Sequence, residues 1–243
     1  MSTVTYDHLD GVARIRLVDG DRGNLLDQAT VDALTRAVRR ARSDDAHVVV
    51  LSAEGRAFSL GGDLAESLHR VVSDLHRMDA VVVSVVQGTA AGAGVPLAAA
   101  ADLVLAASSA QFTLAYTRLG FSPDGGSTLL TASIGLHRAL NLALLNPVLS
   151  AAEARAIGLV AQVHPDGELA AAVEDVVRLL RAGSRSAQVA AKRLLRETAT
   201  PNAEAALRRE TLSIRTRAAD PDGREGVVAF LAKRAARFPS SGA

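Results

Sequence analysis

Strand and helix periodicities alternate along the first two thirds of the chain. Residues 12–17 alternate apolar and polar side chains, as a half-buried strand does, and residues 48–51 are wholly apolar, as in a strand covered on both faces. Residues 65–77 place leucines and valines at helical spacing instead. Further strands are predicted at 81–86, 103–105 and 111–114, and further helices at 28–41, 97–101, 137–145, 151–157 and 169–181. The alternation predicts an α/β fold with a mostly parallel sheet.

The C-terminal region shows helical periodicity only. Helices are predicted at 186–197, 203–216 and 223–235. This region has too little apolar content for a core of its own, so we expect it to pack on the rest of the chain or on another subunit. The predicted organisation is therefore a core over residues 1–185 and a helical region over residues 186–243.

Composition excludes several classes of protein. Apolar residues make up 49% of the chain and charged residues 22%, which predicts a folded core, and the net charge of +1 is spread without a basic stripe. With only 3% aromatic residues as well, no nucleic-acid partner is expected. The absence of cysteine rules out disulfides and a thiol nucleophile. Residues 1–10 lack the features of a signal peptide, so a cytoplasmic location is expected.

One uncharged stretch, residues 80–101, is long enough to span a bilayer. It is rich in glycine and alanine and contains Gln87 and Pro96, whereas a spanning helix is typically rich in leucine, isoleucine and phenylalanine. A strand, a glycine turn and a buried helix explain it better, and no membrane association is expected.

Two glycine-containing loops follow predicted strands and precede predicted helices. In residues 55–64, the pair Gly61-Gly62 permits a sharp turn that leaves N–H groups pointing outward, and Asp63 is placed to cap the next helix. Residues 87–96 carry no reactive side chain, so any function must come from backbone N–H groups. Their glycine spacing matches neither a dinucleotide fingerprint nor a Walker loop. An ordinary connecting loop and tight helix–sheet packing are the alternative interpretations.

A third loop, residues 117–127, contains a lone carboxylate, Asp124, between a proline and two glycines. A turn residue or a helix N-cap is the common role of such an aspartate. None of the six histidines has a metal-ligand spacing, and no GxSxG motif is present, so neither a metal site nor a serine nucleophile is predicted.

Together, these segments resemble the enoyl-CoA hydratase/isomerase (crotonase) family over nearly the whole chain. The matching segments, in chain order, are residues 23–26, 56–64, 88–94, 119–128, 150–160 and 225–234. The resemblance implies an α/β crotonase-type spiral of ββα units with a helical C-terminal trimerisation region. It also implies an acyl-CoA thioester substrate, no separate cofactor, and a homotrimer or a hexamer formed by two trimers.

The resemblance assigns roles to individual residues. It implies that the backbone N–H groups of Leu60 and Ala93 form an oxyanion hole for a thioester enolate, and that Asp124 is the catalytic acid/base. The implied substrate-binding residues are Leu25, Ala57, Leu60, Gly61, Gly62, Asp63, Ala93, Phe230 and Lys233. Leu68 and Val72 would line the acyl pocket, although packing in the core explains them equally well.

Two departures from the family pattern shape the predicted chemistry. Hydratases of the family use two glutamates, which align here with Pro96 and Tyr116. A single carboxylate suffices for a proton shuttle, so double-bond isomerisation through Asp124 is the leading hypothesis. Hydration, hydrolysis or dehalogenation on the same scaffold, and a catalytically silent acyl-CoA-binding subunit, are the alternatives. The second departure is Leu60, where many members have alanine, and the larger side chain is expected to reshape the acyl pocket.

Overall fold

The computed structural model describes residues 2–62 and 66–241. Within them, the strands are β1 Val4–Leu9, β2 Val12–Leu17, β3 Val48–Ala53, β4 Ala57–Ser59, β5 Val81–Val86, β6 Thr89–Ala91, β7 Leu103–Ala107, β8 Gln111–Thr113, β9 Leu149–Ser150 and β10 Gln162–His164. The α-helices are α1 Gln28–Ser43, α2 Glu66–Arg77, α3 Gly94–Ala99, α4 Leu130–Ile134, α5 Leu136–Leu145, α6 Ala151–Ala156, α7 Leu169–Ala182, α8 Arg185–Ala199, α9 Ala203–Ala219 and α10 Pro221–Leu231.

Two sheets form the centre of the fold. The larger sheet has the strand order β1-β2-β3-β5-β7-β10, and only its edge strand β1 runs antiparallel to its neighbour. The smaller sheet has the order β4-β6-β8-β9, with β9 antiparallel to β8. The predicted α/β class with a mostly parallel sheet is confirmed.

The chain winds through both sheets in a repeated ββα turn. The segments β3-β4-α2, β5-β6-α3 and β7-β8-α4 each give one strand to the larger sheet, one to the smaller sheet, and then a helix. Because β4, β6 and β8 are parallel neighbours, their carboxyl ends meet at one edge of the smaller sheet. The three loops that were predicted to carry chemistry follow these strands, so the winding places them side by side.

Apolar side chains of the larger sheet and the surrounding helices form the core. The valines of β3 and β5, apart from the partly buried Val85, are almost completely buried, as expected for strands covered on both faces. The first helix starts where the sequence predicts, because the Asp27 carboxylate accepts a hydrogen bond from the backbone N–H of Thr30 at 2.9 Å.

The helical C-terminal region is held to the core by an ionic cluster. Asp102, which follows α3, lies 2.8 Å from both Lys192 and Arg196 of α8. Lys192 also donates to the carbonyl of Ala80, and Arg196 to that of Ala101, at 2.8 Å each. The helical character of this region is confirmed, whereas the division at residue 185 remains a prediction.

Some element boundaries differ from the prediction. The last helix ends at Leu231 instead of residue 235, and α3 begins at Gly94, earlier than predicted, and ends at Ala99. Strands such as β4 and β6 were missed because three residues are too few to show an alternation of apolar and polar side chains. Residues 80–101 fold as β5, β6 and α3, and within the described residues no helix has the length and apolar character needed to cross a membrane.

Candidate active site

The turn at residues 23–26 is bound to the first glycine loop by a buried asparagine. Asn24 adopts a left-handed backbone conformation (φ 51°), and its side-chain Nδ2 donates to the carbonyls of Glu54 and Ala57 at 2.8 Å each. In return, Ser59 Oγ donates to the carbonyl of Asn24 at 2.8 Å. These bonds fix the loop that follows β4 against the turn.

The predicted oxyanion role of Leu60 is wrong. Its backbone N–H donates to the carbonyl oxygen of Gly23 at 3.0 Å, so this hydrogen is already bonded within the protein. The next N–H, that of Gly61, donates to Ser59 Oγ at 3.2 Å. The Leu60 side chain is half exposed and lies on Gly23, where it bounds one side of the loop.

Gly62 carries the next N–H group of this loop, and that group has no acceptor among the described residues. A methyl group at this position would lie 2.6 Å from the carbonyl oxygen of Leu26, so only glycine fits. Asp63, predicted as a helix cap and substrate-binding residue, lies outside the described residues. The donor that this loop can offer to a ligand is therefore the N–H of Gly62.

Ala93 lies between the first loop and the loop that carries Asp124. A methyl group built on Gly61 would lie 3.3 Å from the Ala93 nitrogen, and one built on Gly125 would lie 3.7 Å from the Ala93 Cβ. The N–H of Ala93 has no acceptor within the described parts of the chain. The three loops singled out from the sequence thus meet around Ala93.

Asp124 is buried, and its backbone and side chain have separate environments. Its carbonyl accepts hydrogen bonds from Tyr116 Oη at 3.2 Å, from Ser127 Oγ at 2.6 Å and from the Ser127 N–H at 3.2 Å. The turn interpretation therefore describes its backbone. The side chain points elsewhere, to a histidine of α2.

His69 is that histidine, and sequence analysis assigned it no role. Its Nε2 lies 2.7 Å from Asp124 Oδ1 and 3.2 Å from Glu210 Oε2 of α9. His69 Nε2 is therefore within hydrogen-bonding distance of both carboxylates. Asp124 thus presents a buried carboxylate that is paired with His69.

The two carboxylates determine the charge of His69. Burial by itself lowers the pKa of His69, but the hydrogen bonds and negative charges of Asp124 and Glu210 outweigh burial and raise this pKa to about 9. On the other side of the ring, Nδ1 lies 2.8 Å from Thr211 Oγ1, whose own hydroxyl donates to the Leu207 carbonyl. Thr211 is thus arranged to accept a hydrogen bond from Nδ1–H, which agrees with a doubly protonated ring at neutral pH.

The residues aligned with the two family glutamates contribute packing and one hydrogen bond. Pro96 is buried against the loop, where a methyl group on Gly125 would lie 3.3 Å from its ring. Tyr116 is buried too, and burial, together with the charges of Asp124 and Glu210, raises the pKa of its phenol. Neither residue supplies a carboxylate.

The remaining predicted binding residues are dispersed. Leu25 is half-buried in the turn, and Ala57 is buried in β4. Phe230 and Lys233 are exposed near the end of α10, and no hydrogen bond among the described residues joins either of them to Asp124. Leu68 and Val72 are buried and lie against the glycines after Asp124, so their role in lining an acyl pocket remains a prediction beside core packing.

His69, Asp124 and Glu210 each offer one ligand atom, and these atoms lie within 4.8 Å of one another. These distances alone would permit the three residues to bind a metal cation. However, the N–H groups of Gly126 and Thr128 point at the Glu210 oxygens, at 2.7 Å each. Donor hydrogens aimed at the same carboxylate identify a hydrogen-bonded ion cluster.

Comparisons with known proteins identify the family of the chain. A family model described as enoyl-CoA hydratase/isomerase matches residues 7–241. The chain is 34% identical to a probable enoyl-CoA hydratase of Rhodobacter capsulatus, over 97% of each chain. It is also 34% identical to a 1,2-epoxyphenylacetyl-CoA isomerase of Escherichia coli, over 94% of this chain and 95% of the relative. The crystal structure of an enoyl-CoA hydratase from Mycobacterium avium subsp. paratuberculosis K-10 is similar, with a TM-score of 0.93 and 35% identity over 97% of this chain and 98% of that chain.

Proposed function

We propose, from the premise that this chain belongs to the enoyl-CoA hydratase/isomerase family, that it moves a double bond within an acyl-CoA. The observation that carries the proposal is the position of Asp124. It is a buried carboxylate that lies 2.7 Å from His69 Nε2, and its loop contacts Ala93. Such a group can remove and return a proton without leaving the substrate.

In the proposed reaction, the thioester oxygen of a 3-enoyl-CoA accepts hydrogen bonds from the N–H groups of Gly62 and Ala93. The Asp124 carboxylate takes a proton from C2, and the electron pair delocalises over C2–C4 and the thioester oxygen. The protonated carboxyl group then returns the proton to C4, which gives the 2-enoyl-CoA and restores the carboxylate. The two amides stabilise the charge on the oxygen, and losing one such donor costs about 3–4 kcal/mol in comparable sites.

Hydration is the second candidate, and the similarity to a probable enoyl-CoA hydratase favours it. The usual two-glutamate route is not available, because Pro96 and Tyr116 occupy those positions. A hydratase would need His69 or Glu210 as its second acid/base group, and both are already engaged in the ion cluster. This engagement favours isomerisation.

The test uses a panel of acyl-CoA esters, including 3-enoyl-CoA and 2-enoyl-CoA, with products followed by mass spectrometry. Isomerisation conserves mass, whereas hydration adds the mass of water. Asp124→Asn should lower turnover of 3-enoyl-CoA by about a thousandfold while binding of a saturated acyl-CoA stays nearly unchanged. Asp79→Asn, which changes an exposed aspartate, serves as the control.

The same assay distinguishes a silent binding subunit from an enzyme. A live base exchanges the α-protons of a saturated acyl-CoA for deuterium in D₂O. Tight binding without exchange would support the silent subunit, and normal turnover by Asp124→Asn would remove Asp124 from the reaction.

We also propose that the protein forms a trimer, or a pair of trimers, through an apolar surface on α5 and α10. Leu136, Leu140 and Leu144 are exposed at four-residue intervals along α5, and Phe230 and Leu231 are exposed at the end of α10. Both helices pack against the turn at Thr117–Leu119. So many large exposed apolar side chains on neighbouring helices are typical of a subunit interface.

A further inference from the structure

Glu210 is a buried carboxylate in a region whose side chains are mostly exposed. It belongs to α9 and is 3% exposed. Its Oε2 accepts the N–H of Gly126, and its Oε1 accepts both the N–H and the hydroxyl of Thr128. A buried carboxylate costs several kcal/mol unless it is hydrogen-bonded or ion-paired, and here every bond but one goes to the loop that carries Asp124.

The remaining contact of Glu210 is with His69, which also pairs with Asp124. The imidazole ring lies between Glu210 and Asp124, and the adjacent residue of α9, Thr211, holds its other nitrogen. Two consecutive residues of α9 therefore fix the ring that faces Asp124. Gly125 N also lies 3.2 Å from the protonated His69 Nε2, so the ring contacts the backbone of the Asp124 loop as well.

The loop itself depends on external support. Gly125 and Gly126 have positive φ angles of 68° and 97°. Glycine adopts this conformation easily, but it has no side chain that could pack against neighbouring residues and hold the backbone in place. Leu68, Val72 and Pro96 pack against these glycines, and Leu207 of α9 also lies close to Gly126. These apolar contacts exclude water but cannot orient the amides, whereas Glu210 accepts hydrogen bonds from two amides of the segment.

We propose that Glu210 is a positioning residue for Asp124: it fixes the loop through the amides of Gly126 and Thr128, and with His69 it sets the charge that Asp124 faces. The inference rests on the proposed function, because it assigns Asp124 the proton transfer. The titratable groups around Asp124 are His69 from α2, Glu210 from α9 and Tyr116 from the preceding segment. Thr211 lies on the far side of the His69 ring, and Ala93 and Pro96 contribute apolar contacts to the loop.

Removing the Glu210 anion and removing the His69 cation should shift the pH profile in opposite directions. Removing the Glu210 charge leaves the His69 cation beside Asp124 without a second anion, so the acidic limb of the pH profile of kcat/KM should move to lower pH. Removing the His69 cation leaves two carboxylates close together, so the acidic limb should move to higher pH. The profile of kcat/KM is the readout because it reports the ionisable groups of the free enzyme.

The experiment measures kcat, KM and the pH profile with 3-enoyl-CoA for Glu210→Gln, His69→Gln and the double variant. Glu210→Gln should move the acidic limb about one pH unit lower and reduce kcat on the order of tenfold, with KM changing less. His69→Gln should move the limb about one unit higher, and the double variant should return it toward the wild-type position. Should Glu210→Gln fail to fold, the shift of His69→Gln still decides the matter.

Glu204→Gln is the matched control, because Glu204 also joins α9 to α2, through Ser73 and Arg77, but on the exposed surface. It should leave the profile unchanged. Wild-type kinetics and profile in Glu210→Gln, an unshifted limb in His69→Gln, or activity that is lost in EDTA and restored by a divalent cation would overturn the proposal. If Asp124→Asn stays active the proposed function fails, whereas an inactive Asp124→Asn beside an unaltered Glu210→Gln defeats only the positioning role.

Discussion

The backbone N–H of Leu60 donates to the carbonyl of Gly23 at an N···O distance of 3.0 Å. This bond removes Leu60 from the set of donors that a substrate can use and leaves Gly62 as the donor of its loop. The turn and the loop are held together further by Asn24, so the Leu60 N–H cannot be released without separating two packed segments. The distinction between Leu60 and Gly62 leads to a direct test.

Gly62→Ala should lower kcat on 3-enoyl-CoA about a hundredfold. The added methyl group would lie 2.6 Å from the Leu26 carbonyl oxygen, so the loop must move and its N–H leaves the thioester oxygen. Leu60→Ala removes a half-exposed side chain and keeps the backbone, so it should change kcat little. Steady-state kinetics of both variants, with circular dichroism to verify folding, makes the comparison, and a larger loss in Leu60→Ala would contradict it.

The docking of α8 depends on Asp102. Replacement by asparagine leaves Lys192, which is largely buried, without its counterion, and a broken buried pair costs on the order of 3 kcal/mol. Asp102→Asn should lower the free energy of unfolding in urea by about that amount. Asp79→Asn breaks an exposed pair with Arg193 of the same helix and should cost less than about 1 kcal/mol. Equal effects of the two substitutions would show that the buried cluster does not hold α8.

His76 should make the protein less stable in mild acid. Burial, reinforced by the charges of Arg196 and Lys192, lowers the pKa of His76 from its ordinary 6.5 to about 4. Between these values the unfolded chain takes up a proton at His76 and the folded chain does not, so stability falls as the pH drops from 6.5 to 4.

A hydrogen bond fixes the orientation of the buried His76 ring. His76 Nε2 lies 3.1 Å from Thr200 Oγ1, whose hydroxyl donates to the Arg196 carbonyl, so the ring is the donor. His76→Gln should flatten the dependence of the unfolding free energy on pH in this window, as measured by urea denaturation at several pH values. His137→Gln, at an exposed histidine, is the control, and an unchanged slope in His76→Gln would assign the acid sensitivity to other groups.

Local patterns were sufficient for much of the fold. The alternation in β2, the apolar run in β3 and the Asp27 cap are each encoded within a few neighbouring residues, and all three are confirmed. Asp124 was noted as the lone carboxylate of its loop, but its catalytic role came from the family resemblance and remains a prediction. The short strands of the smaller sheet were missed because their pairing partners, and not their own sequence, define them.

The rest of the site depends on contacts between distant segments. No pattern near Leu60 reveals that the Gly23 carbonyl bonds its N–H, because the turn and the loop are joined only by folding. Glu210 follows two arginines on a helix of mixed polarity, which resembles an exposed position, and its burial results from the docking of α9. His69 gave one unused signal, a histidine next to the apolar stripe of α2.

The apolar surface on α5 and α10 predicts that the protein self-associates. Replacing Leu140 and Leu144 together by glutamate puts two charges on an exposed stripe without touching the core, so the monomer should still fold. Analytical ultracentrifugation should show a trimer or hexamer for the wild type and a smaller species for this variant. Leu9→Glu changes an exposed leucine of the edge strand β1 and should leave the mass unchanged. A wild-type mass in the double variant would place the interface elsewhere, and a monomeric wild type would contradict the proposed assembly.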